Sequence, residues 1–458
     1  MFPRNWGAIR GGGWPLSEPG NLPDAVGGVG IYGRLMSKIR CILISLAAAF
    51  ALAVTSGCGG ASNPHGSSQQ RTEAAATLKS HSGHPRPTPL AGRHWTDQTP
   101  AWSPNGREIV FASNRANNGP RQRAAGKRGI DHLYLMNADG SGVRRLTWDS
   151  GDARAPSFSP DGKLIAYEAT NREYNGTAAI DLIATDGSHR RLLSRGPLRI
   201  GNPYKERGAP ILPTWSPNGQ WIAFVNDLSQ TGCGSHCEAA DLYVIRPDGT
   251  GLHMVAANIE GTSGETFTSS PYSWSPDGRE IAVVGKDQGV YRVAVGRKTP
   301  LQITSPACDC SGIATSDSTT DVAWSPDGTK IAFVRGRVVR GYDEIPFYVN
   351  ARYLWILDVR NHRQRRLRAL VGDDWAGAGV TITWLVQRRP LLVVQDGGST
   401  DLLTAAGRTI RTFRKPGVLP TGSASPIGRR LLFVSGSGNS AIFAVDVRSG
   451  RVRQLTQH

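Results

Sequence analysis

Four cysteines arranged as two close pairs are the residues of this chain best suited by type and spacing to form a cross-link or a metal site. Cys233 and Cys237 occur in CGSHC, and Cys308 and Cys310 occur in CDC. In an oxidising compartment such pairs form local disulfides that hold long loops together. A Cys–His metal site that includes His236 is the alternative. We favour disulfides, because the two pairs fall in loops of units that are not neighbours in the repeat described below.

Polar residues that could act as acids or bases are few in the segments where we expect a central channel. These segments contain Asp97, Asp152, Arg154 and Asp321 but no histidine. The chain has no GxSxG motif of the kind that presents a serine nucleophile. Its Asp-Gly turns lack the alternating carboxylates and the distal Glu of a calcium loop. The sequence therefore predicts no catalytic residue, no metal site and no cofactor. A hydrolase or lyase that uses Asp152, Arg154 and Asp321 is the alternative.

A twelve-residue repeat determines where these side chains lie. WSPDGREIAVVG begins at Trp274, and near-copies begin at four other aromatic residues. Two further units, from Trp384 and Ala424, have lost the motif but keep its frame. The aromatic anchors of the units are Trp102, Phe158, Trp215, Trp274, Trp324 and Trp384. We expect each anchor to pack against a neighbouring unit, because a twisted sheet cannot bury both of its faces alone.

Each unit contains four short strands separated by turn signals. In the first unit, EIVFAS follows the turn at Ser103–Gly106, DHLYLMNADG supplies a third strand and a second turn, and SGVRRLT a fourth strand. Four antiparallel strands with a turn at each reversal are typical of a propeller blade. The sequence thus predicts an all-β, seven-bladed β-propeller over residues 93–458. Six blades is the alternative, if the degenerate sixth unit is not a blade. We expect the ring to close by packing alone, without a blade shared between the termini.

The N-terminal region has the pattern of an export signal. Residues 36–57 combine Lys38 and Arg40 with a 14-residue apolar stretch and small residues, which is too short to span a membrane. They lead to Cys58, which we predict to be lipidated; an ordinary signal peptide cut nearby is the alternative. Residues 1–35 are Gly-rich and aperiodic, and we interpret them as a mis-assigned start before Met36. Residues 58–92 are rich in Gly, Ser, Gln, His and Pro, which predicts a flexible tether.

The chain is strongly basic. It has 53 Lys and Arg residues against 36 Asp and Glu, a formal net charge of +17. The basic residues are spread as pairs along the chain, with no dense block or interleaved aromatics, so we predict scattered solvated charge and no nucleic-acid partner.

The repeats resemble those of the WD-repeat-like propeller family typified by the Tol-system protein TolB, which read W-S-P-D-G-x-x-I-A-F, then a Y/L-V third strand and an R-x-L-T fourth strand. The residues from Cys41 to Cys58 resemble a bacterial lipoprotein signal, with Thr55 where a Leu is usual. The first resemblance implies an envelope protein that binds protein partners through one propeller face. Unlike TolB, this chain has only a tether before its first blade and a predicted lipid anchor.

Long charged insertions fall on one face of the predicted propeller, where binding residues concentrate on loops of a rigid scaffold. The predicted partner-binding residues are Asp152, Arg154, Tyr204, Lys205, Glu206, Arg207, Phe267, Asp321, Asp373, Asp374 and Trp375. The sequence therefore predicts an exported, membrane-anchored lipoprotein on the periplasmic or extracellular side. We expect a monomer that acts as a non-catalytic scaffold or adaptor for an envelope protein. Binding of wall glycan at the channel mouth is a further alternative.

Overall fold

The computed structural model describes residues 95–117, 129–170, 178–195, 209–227, 239–260, 271–285, 289–296, 300–304, 315–339, 351–370, 380–396, 399–414, 424–435 and 440–457. The predicted segments 1–35, 36–57 and 58–92, with Cys58, lie outside these residues, as do the four paired cysteines. Within the described ranges, no helix has the length and apolarity needed to cross a membrane.

The Ser-Pro-Asx-Gly turns form the hairpins that start the blades. In the first, the Ser103 N–H donates to the Glu108 carbonyl at 2.9 Å, and the Ser103 hydroxyl donates to the Asn105 Oδ1 at 2.8 Å. Gly106 has φ +67°, a left-handed conformation that a residue without Cβ adopts at little cost. The turn therefore reverses the chain between a strand that ends on the aromatic anchor and an apolar second strand.

Each of the first four blades contains four strands in chain order. Blade 1 has β1 (Asp97–Trp102), β2 (Glu108–Ser113), β3 (His132–Asn137) and β4 (Arg144–Arg145), with a short 3₁₀ helix at Arg115–Asn117. Blade 2 has β5 (Ala153–Phe158), β6 (Leu164–Thr170), β7 (Ala178–Ala184) and β8 (Arg191–Arg195). Blade 3 has β9 (Ala209–Trp215), β10 (Ile222–Asp227), β11 (Ala239–Ile245) and β12 (His253–Glu260). Blade 4 has β13 (Tyr272–Trp274), β14 (Glu280–Val284), β15 (Val290–Ala294) and β16 (Leu301–Gln302).

The remaining blades follow the same order. Blade 5 has β17 (Thr315–Trp324), β18 (Lys330–Val339), β19 (Ala351–Asp358) and β20 (Gln364–Leu370). Blade 6 has β21 (Thr381–Leu385), β22 (Leu391–Asp396), β23 (Ser399–Thr404) and β24 (Thr409–Arg414). Blade 7 has β25 (Arg430–Ser435), β26 (Ala441–Asp446) and β27 (Val452–Gln454), and an isolated bridge from Ala424 to Leu431 occupies the place of its first strand.

Strand pairing within each blade is antiparallel and sequential, as in β1-β2-β3-β4 and its six counterparts. The degenerate sixth unit forms the complete sheet β21-β22-β23-β24. The predicted seven-bladed propeller is therefore confirmed, and the six-bladed alternative is wrong. Sequential pairing also defines two faces. The turn face carries the first-to-second and third-to-fourth strand turns, such as 103–107 and 138–143. The loop face carries the second-to-third strand and blade-to-blade connections, such as 146–152.

The apolar core lies between neighbouring blades. Trp102 of blade 1 shares a cluster with Leu432 and Ile442 of blade 7, and Trp384 of blade 6 shares one with Ala332 and Val334 of blade 5. Phe158, Trp215, Trp274 and Trp324 likewise pack against residues of the preceding blade. Burial of such large side chains supplies most of the free energy that holds one blade to the next.

Ring closure joins blade 7 to blade 1 without a shared strand. The Asp97 N–H donates to the Ser440 carbonyl at 2.8 Å, and the Ser440 hydroxyl donates to the Asp97 carbonyl at 2.9 Å. The last strand, β27, pairs with β26 of its own blade. The sequence predicts closure by packing alone, and the structure adds these two hydrogen bonds to the packing between blades 7 and 1.

Cations on the outer strands connect the blades around the rim. Arg144 Nη2 donates to the Thr185 carbonyl of the next blade at 2.5 Å, and Arg411 Nη2 to the Arg448 carbonyl at 2.8 Å. Arg191 and Arg365 make the same type of contact with the carbonyls of Pro247 and Ala405, and Nε2 of His253 lies 2.9 Å from the Val295 carbonyl. Part of the basic excess therefore has a structural role, because charged donors satisfy turn carbonyls of the adjacent blade.

Candidate functional site on the loop face

Irregular backbone shapes the inner strands of the first three blades. Thr99, Ala155 and Leu212 have φ of 48°, 46° and 53°, and each lies three residues before its aromatic anchor. The pairing register shifts beside each of them. A non-glycine residue in this region costs about 1–3 kcal/mol, and a bulge re-aims neighbouring side chains. In blades 1 and 2 the residues just before the bulges, Gln98 and Arg154, both reach the same carboxylate.

That carboxylate belongs to Asp131, at the start of the third strand of blade 1. Arg154 Nε donates to Asp131 Oδ2 at 2.7 Å, and Gln98 Nε2 donates to the same oxygen at 2.8 Å. Arg154 Nη2 lies 2.9 Å from Asp152 Oδ2, while Asp152 Oδ1 accepts from the Asp131 N–H at 2.9 Å. Two blades are thus joined by one network of charge-assisted hydrogen bonds, which are shorter and stronger than neutral ones.

The solvent exposure of the side chains increases across this network from Asp131 to Asp152. The Asp131 side chain is fully buried, that of Arg154 is 16% exposed and that of Asp152 is 32% exposed. Asp131 therefore binds Arg154 on its buried side, and Asp152 is the most solvent-exposed of these three side chains. A buried charge is tolerated because its partners are charged and hydrogen-bonded to it.

A second ion pair lies beside the ring closure. Arg115 Nη2 donates to both carboxylate oxygens of Asp97, at 2.7 and 2.8 Å. The Arg115 guanidinium also lies 5.0 Å from the ring centroids of Phe111 and Tyr134. Asp97 is completely buried, so the pair fixes the inner strand of blade 1 where it meets blade 7.

His132 adds a titratable group beside this network. Burial, followed by the positive charge of Arg145, lowers the pKa of His132 from 6.5 to about 4, although Asp152 acts in the opposite direction. The ring is consequently neutral at physiological pH.

This arrangement holds several charged groups in fixed positions by hydrogen bonds. The Asp97, Asp131 and Asp152 carboxylates accept hydrogen bonds from guanidinium, amide or backbone N–H groups. Among the residues that the structure describes, no group of three or more His, Cys, Asp or Glu side chains is placed to hold a metal ion.

The structure brings together two of the predicted partner-binding residues, Asp152 and Arg154. Asp321 lies at the junction of blades 5 and 6, where its buried Oδ2 accepts from the Ile382 N–H at 2.7 Å. This hydrogen bond links two blades. The predicted residues Tyr204, Lys205, Glu206, Arg207, Phe267, Asp373, Asp374 and Trp375 lie outside the described residues.

Sequence reasoning missed Asp131 and Arg115, because both lie outside the repeated motif. It also missed the rim contacts, although a signal was present. Basic residues recur in the fourth strands, as in VRRLT, HRRLLS and RQRRLRA. That recurrence at one position of the repeat indicates a shared structural role.

The seven blades have sequentially paired strands, and each blade contains an Asx-Gly turn or its degenerate copy. These features define a WD-repeat-like β-propeller. The family model Gmad1, described as the lipoprotein LpqB beta-propeller domain, matches residues 202–342. A protein TolB homolog from Chlorobium luteolum is 30% identical over 190 residues, which cover 42% of this chain and 34% of that protein. The chain is therefore similar to TolB-like β-propeller proteins.

Similarity extends to other propeller-containing proteins. A probable dipeptidyl-peptidase 5 from Aspergillus clavatus is 28% identical over 149 residues, 31% of this chain and 19% of that protein. The propeller domain of the Trilobed protease from Pyrococcus furiosus is 12% identical, with a TM-score of 0.48 over 80% of this chain and 96% of that one. The matches to the TolB homolog and the peptidase thus span only 34% and 19% of those proteins.

Proposed function

We propose that this protein is a non-catalytic cell-envelope lipoprotein whose propeller binds a protein partner through the loop face. The observation that carries the proposal is the Gln98–Asp131–Arg154–Asp152 network, which holds charged groups rigidly at the loop face. The similarity to TolB and LpqB propellers supports the envelope location. The export pattern at 36–57 and Cys58 support the lipid anchor.

Rigid charges favour specific association. A partner cation that meets Asp152 finds a carboxylate already oriented by Arg154, so little conformational entropy is lost on binding. Complementary charge also raises association rates and selects partners. The aromatic residues Tyr204, Phe267 and Trp375, which the sequence analysis predicts on this face, are the proposed anchors, since aromatic side chains dominate interface energetics.

Cross-linking in intact cells followed by mass spectrometry tests this proposal. The informative variant is Asp152→Lys, and the matched control is Asp186→Lys, which makes the same charge change on the turn face of the same blade. We expect a discrete partner that is captured by wild type and the control but lost in Asp152→Lys. Absence of a partner, or equal capture by all three proteins, contradicts the proposal.

Lipid anchoring has a separate test. Replacement of Cys58 by Ser should move the protein from the membrane fraction to the soluble fraction and abolish labelling by a fatty-acid analogue. Retention of the label would contradict lipidation at this residue.

The similarity to dipeptidyl-peptidase 5 favours a second candidate, an enzyme that uses the channel mouth. It predicts turnover of a panel of fluorogenic peptides or wall-glycan fragments by the purified chain. Turnover that Asp152→Asn abolishes would replace the non-catalytic proposal. Glycan binding without turnover would favour the wall-glycan alternative.

A further inference from the structure

A cleft on the turn face, opposite the network described above, separates blade 7 from blade 1. It has a volume of about 570 Å³ and lies between the turns at 104–107 and 137–139 of blade 1 and the turn at 425–430 of blade 7. Trp102 and Asp446 are among the residues that line it. This volume is within the ~300–1,000 Å³ range of typical ligand sites.

The Ser-Pro-Ile-Gly turn of blade 7 differs at one position from the Ser-Pro-Asx-Gly turns of blades 1 to 5. In blades 1 to 5 the residue after the proline is Asn or Asp, and its Oδ1 accepts from the Ser hydroxyl two residues earlier: Asn105, Asp161, Asn218, Asp277 and Asp327. In blade 7 this residue is Ile427, whose side chain is 60% exposed. Gly428 keeps the left-handed φ of +61°, so the turn is preserved although its side-chain hydrogen bond is lost. An exposed isoleucine therefore lines the cleft at a place where the fold favours a polar residue.

Two cations beside Ile427 have no partner within the described residues. The side chains of Arg107 and Arg429 are exposed and make no hydrogen bond or ion pair there, and both line the cleft. Arg430 differs, because its Nη1 donates to the Ala138 carbonyl across the blade junction at 3.1 Å. Arg430 thus helps to hold the two walls together, and the other two guanidinium groups are available to a ligand.

The two carboxylates of the cleft are held by their own turns. Asp139 Oδ1 accepts from the Ser141 hydroxyl at 2.6 Å, and Asp446 Oδ1 accepts from the Ser449 hydroxyl at 2.7 Å. These hydrogen bonds lower the pKa of each carboxyl. Both groups stay anionic and leave a second oxygen that can accept from a backbone N–H of a ligand.

We propose that this cleft binds an extended segment of a protein partner in which acidic side chains flank an apolar one. Arg107 and Arg429 would pair with the acidic side chains, and Ile427 would contact the apolar one. The backbone N–H groups of the segment would donate to Asp139 or Asp446. Charge complementarity selects the acidic character, since Arg107 and Arg429 are the charged side chains of the cleft that make no hydrogen bond or ion pair among the described residues. The site lies opposite the loop face and does not depend on the function proposed for that face.

Selection from a random dodecapeptide phage library on the immobilised full chain tests this inference. The selected peptide, synthesised with fluorescein, is then titrated by anisotropy against wild type and the double variant Arg107→Glu/Arg429→Glu. The matched control is Arg360→Glu/Arg408→Glu, which reverses two exposed turn-face arginines on blades 5 and 6. We expect an acidic–apolar consensus, about tenfold or more weaker binding by the cleft variant, and unchanged binding by the control.

A second variant separates binding from folding. Ile427→Asn restores the residue type found in blades 1 to 5, so we expect an unchanged or higher unfolding midpoint together with weaker peptide binding. Selection of no peptide or of a non-acidic consensus overturns the inference. So does equal affinity of wild type and either cleft variant. Because the cross-linking test concerns Asp152 on the opposite face, the two proposals can fail independently.

Discussion

Arg154 on the loop face forms ion pairs with two carboxylates, those of Asp131 and Asp152. In contrast, Arg107 and Arg429 on the turn face have no partner among the described residues. The difference follows from burial. Arg154 lies where solvent reaches little of it, so its charge requires partners. The turn-face arginines are solvated and need none. A buried charge in an ion pair keeps the surrounding residues in place, whereas an exposed charge without a partner can bind a ligand.

The largest effect expected from this comparison is on stability. Asp131→Ala removes the buried partner of Arg154 and of Gln98, which should lower the free energy of unfolding by about 3 kcal/mol. Arg429→Ala on the turn face should stay within about 0.5 kcal/mol of wild type. Denaturant unfolding measures both. Equal losses in the two variants would show that the two faces do not differ in this way.

Unfolding at acidic pH also tests the comparison of the two faces, because His132 lies on the loop face. Its pKa is about 4 in the folded protein against 6.5 when unperturbed, so the unfolded chain binds more protons between these values. Stability should therefore fall as pH drops from 6.5 to 4, by at most about 3 kcal/mol for this group. A His132→Leu variant should lose that part of the pH slope, whatever its stability at neutral pH. An unchanged slope would contradict the lowered pKa.

The smallest effect concerns the rim. Arg411→Gln removes the hydrogen bonds that Arg411 donates to the Arg448 and Ser449 carbonyls of the next blade. We expect a loss of about 1 kcal/mol. Arg408→Gln, three residues earlier and without a side-chain partner in the described structure, should have little effect. If both variants unfold at the wild-type midpoint, the hydrogen bonds of the rim arginines do not contribute to stability.

Part of the candidate sites was visible in the sequence. Asp152 and Arg154 stood out because they immediately precede an anchor segment, and the change from SPDG to SPIG at Ile427 can be seen by aligning the repeats. The convergence of Gln98 and Arg154 on Asp131 could not be predicted. It depends on left-handed residues at Thr99 and Ala155, for which propensity offers no signal in a non-glycine residue.

The sequence by itself determined the four-stranded blade and the order of the blades, because these follow from local turn chemistry and from repeated strand periodicity. The structure decided that the degenerate sixth unit is a blade, since it forms a complete sheet. Only the tertiary structure decided which charged side chains meet. Asp131 meets Arg154 across two blades, and Arg107 and Ile427 line one cleft at the closure of the ring. Such contacts join residues far apart in the chain, through connections of variable length. Their geometry exists only once the ring has closed and the blades have taken their places around it.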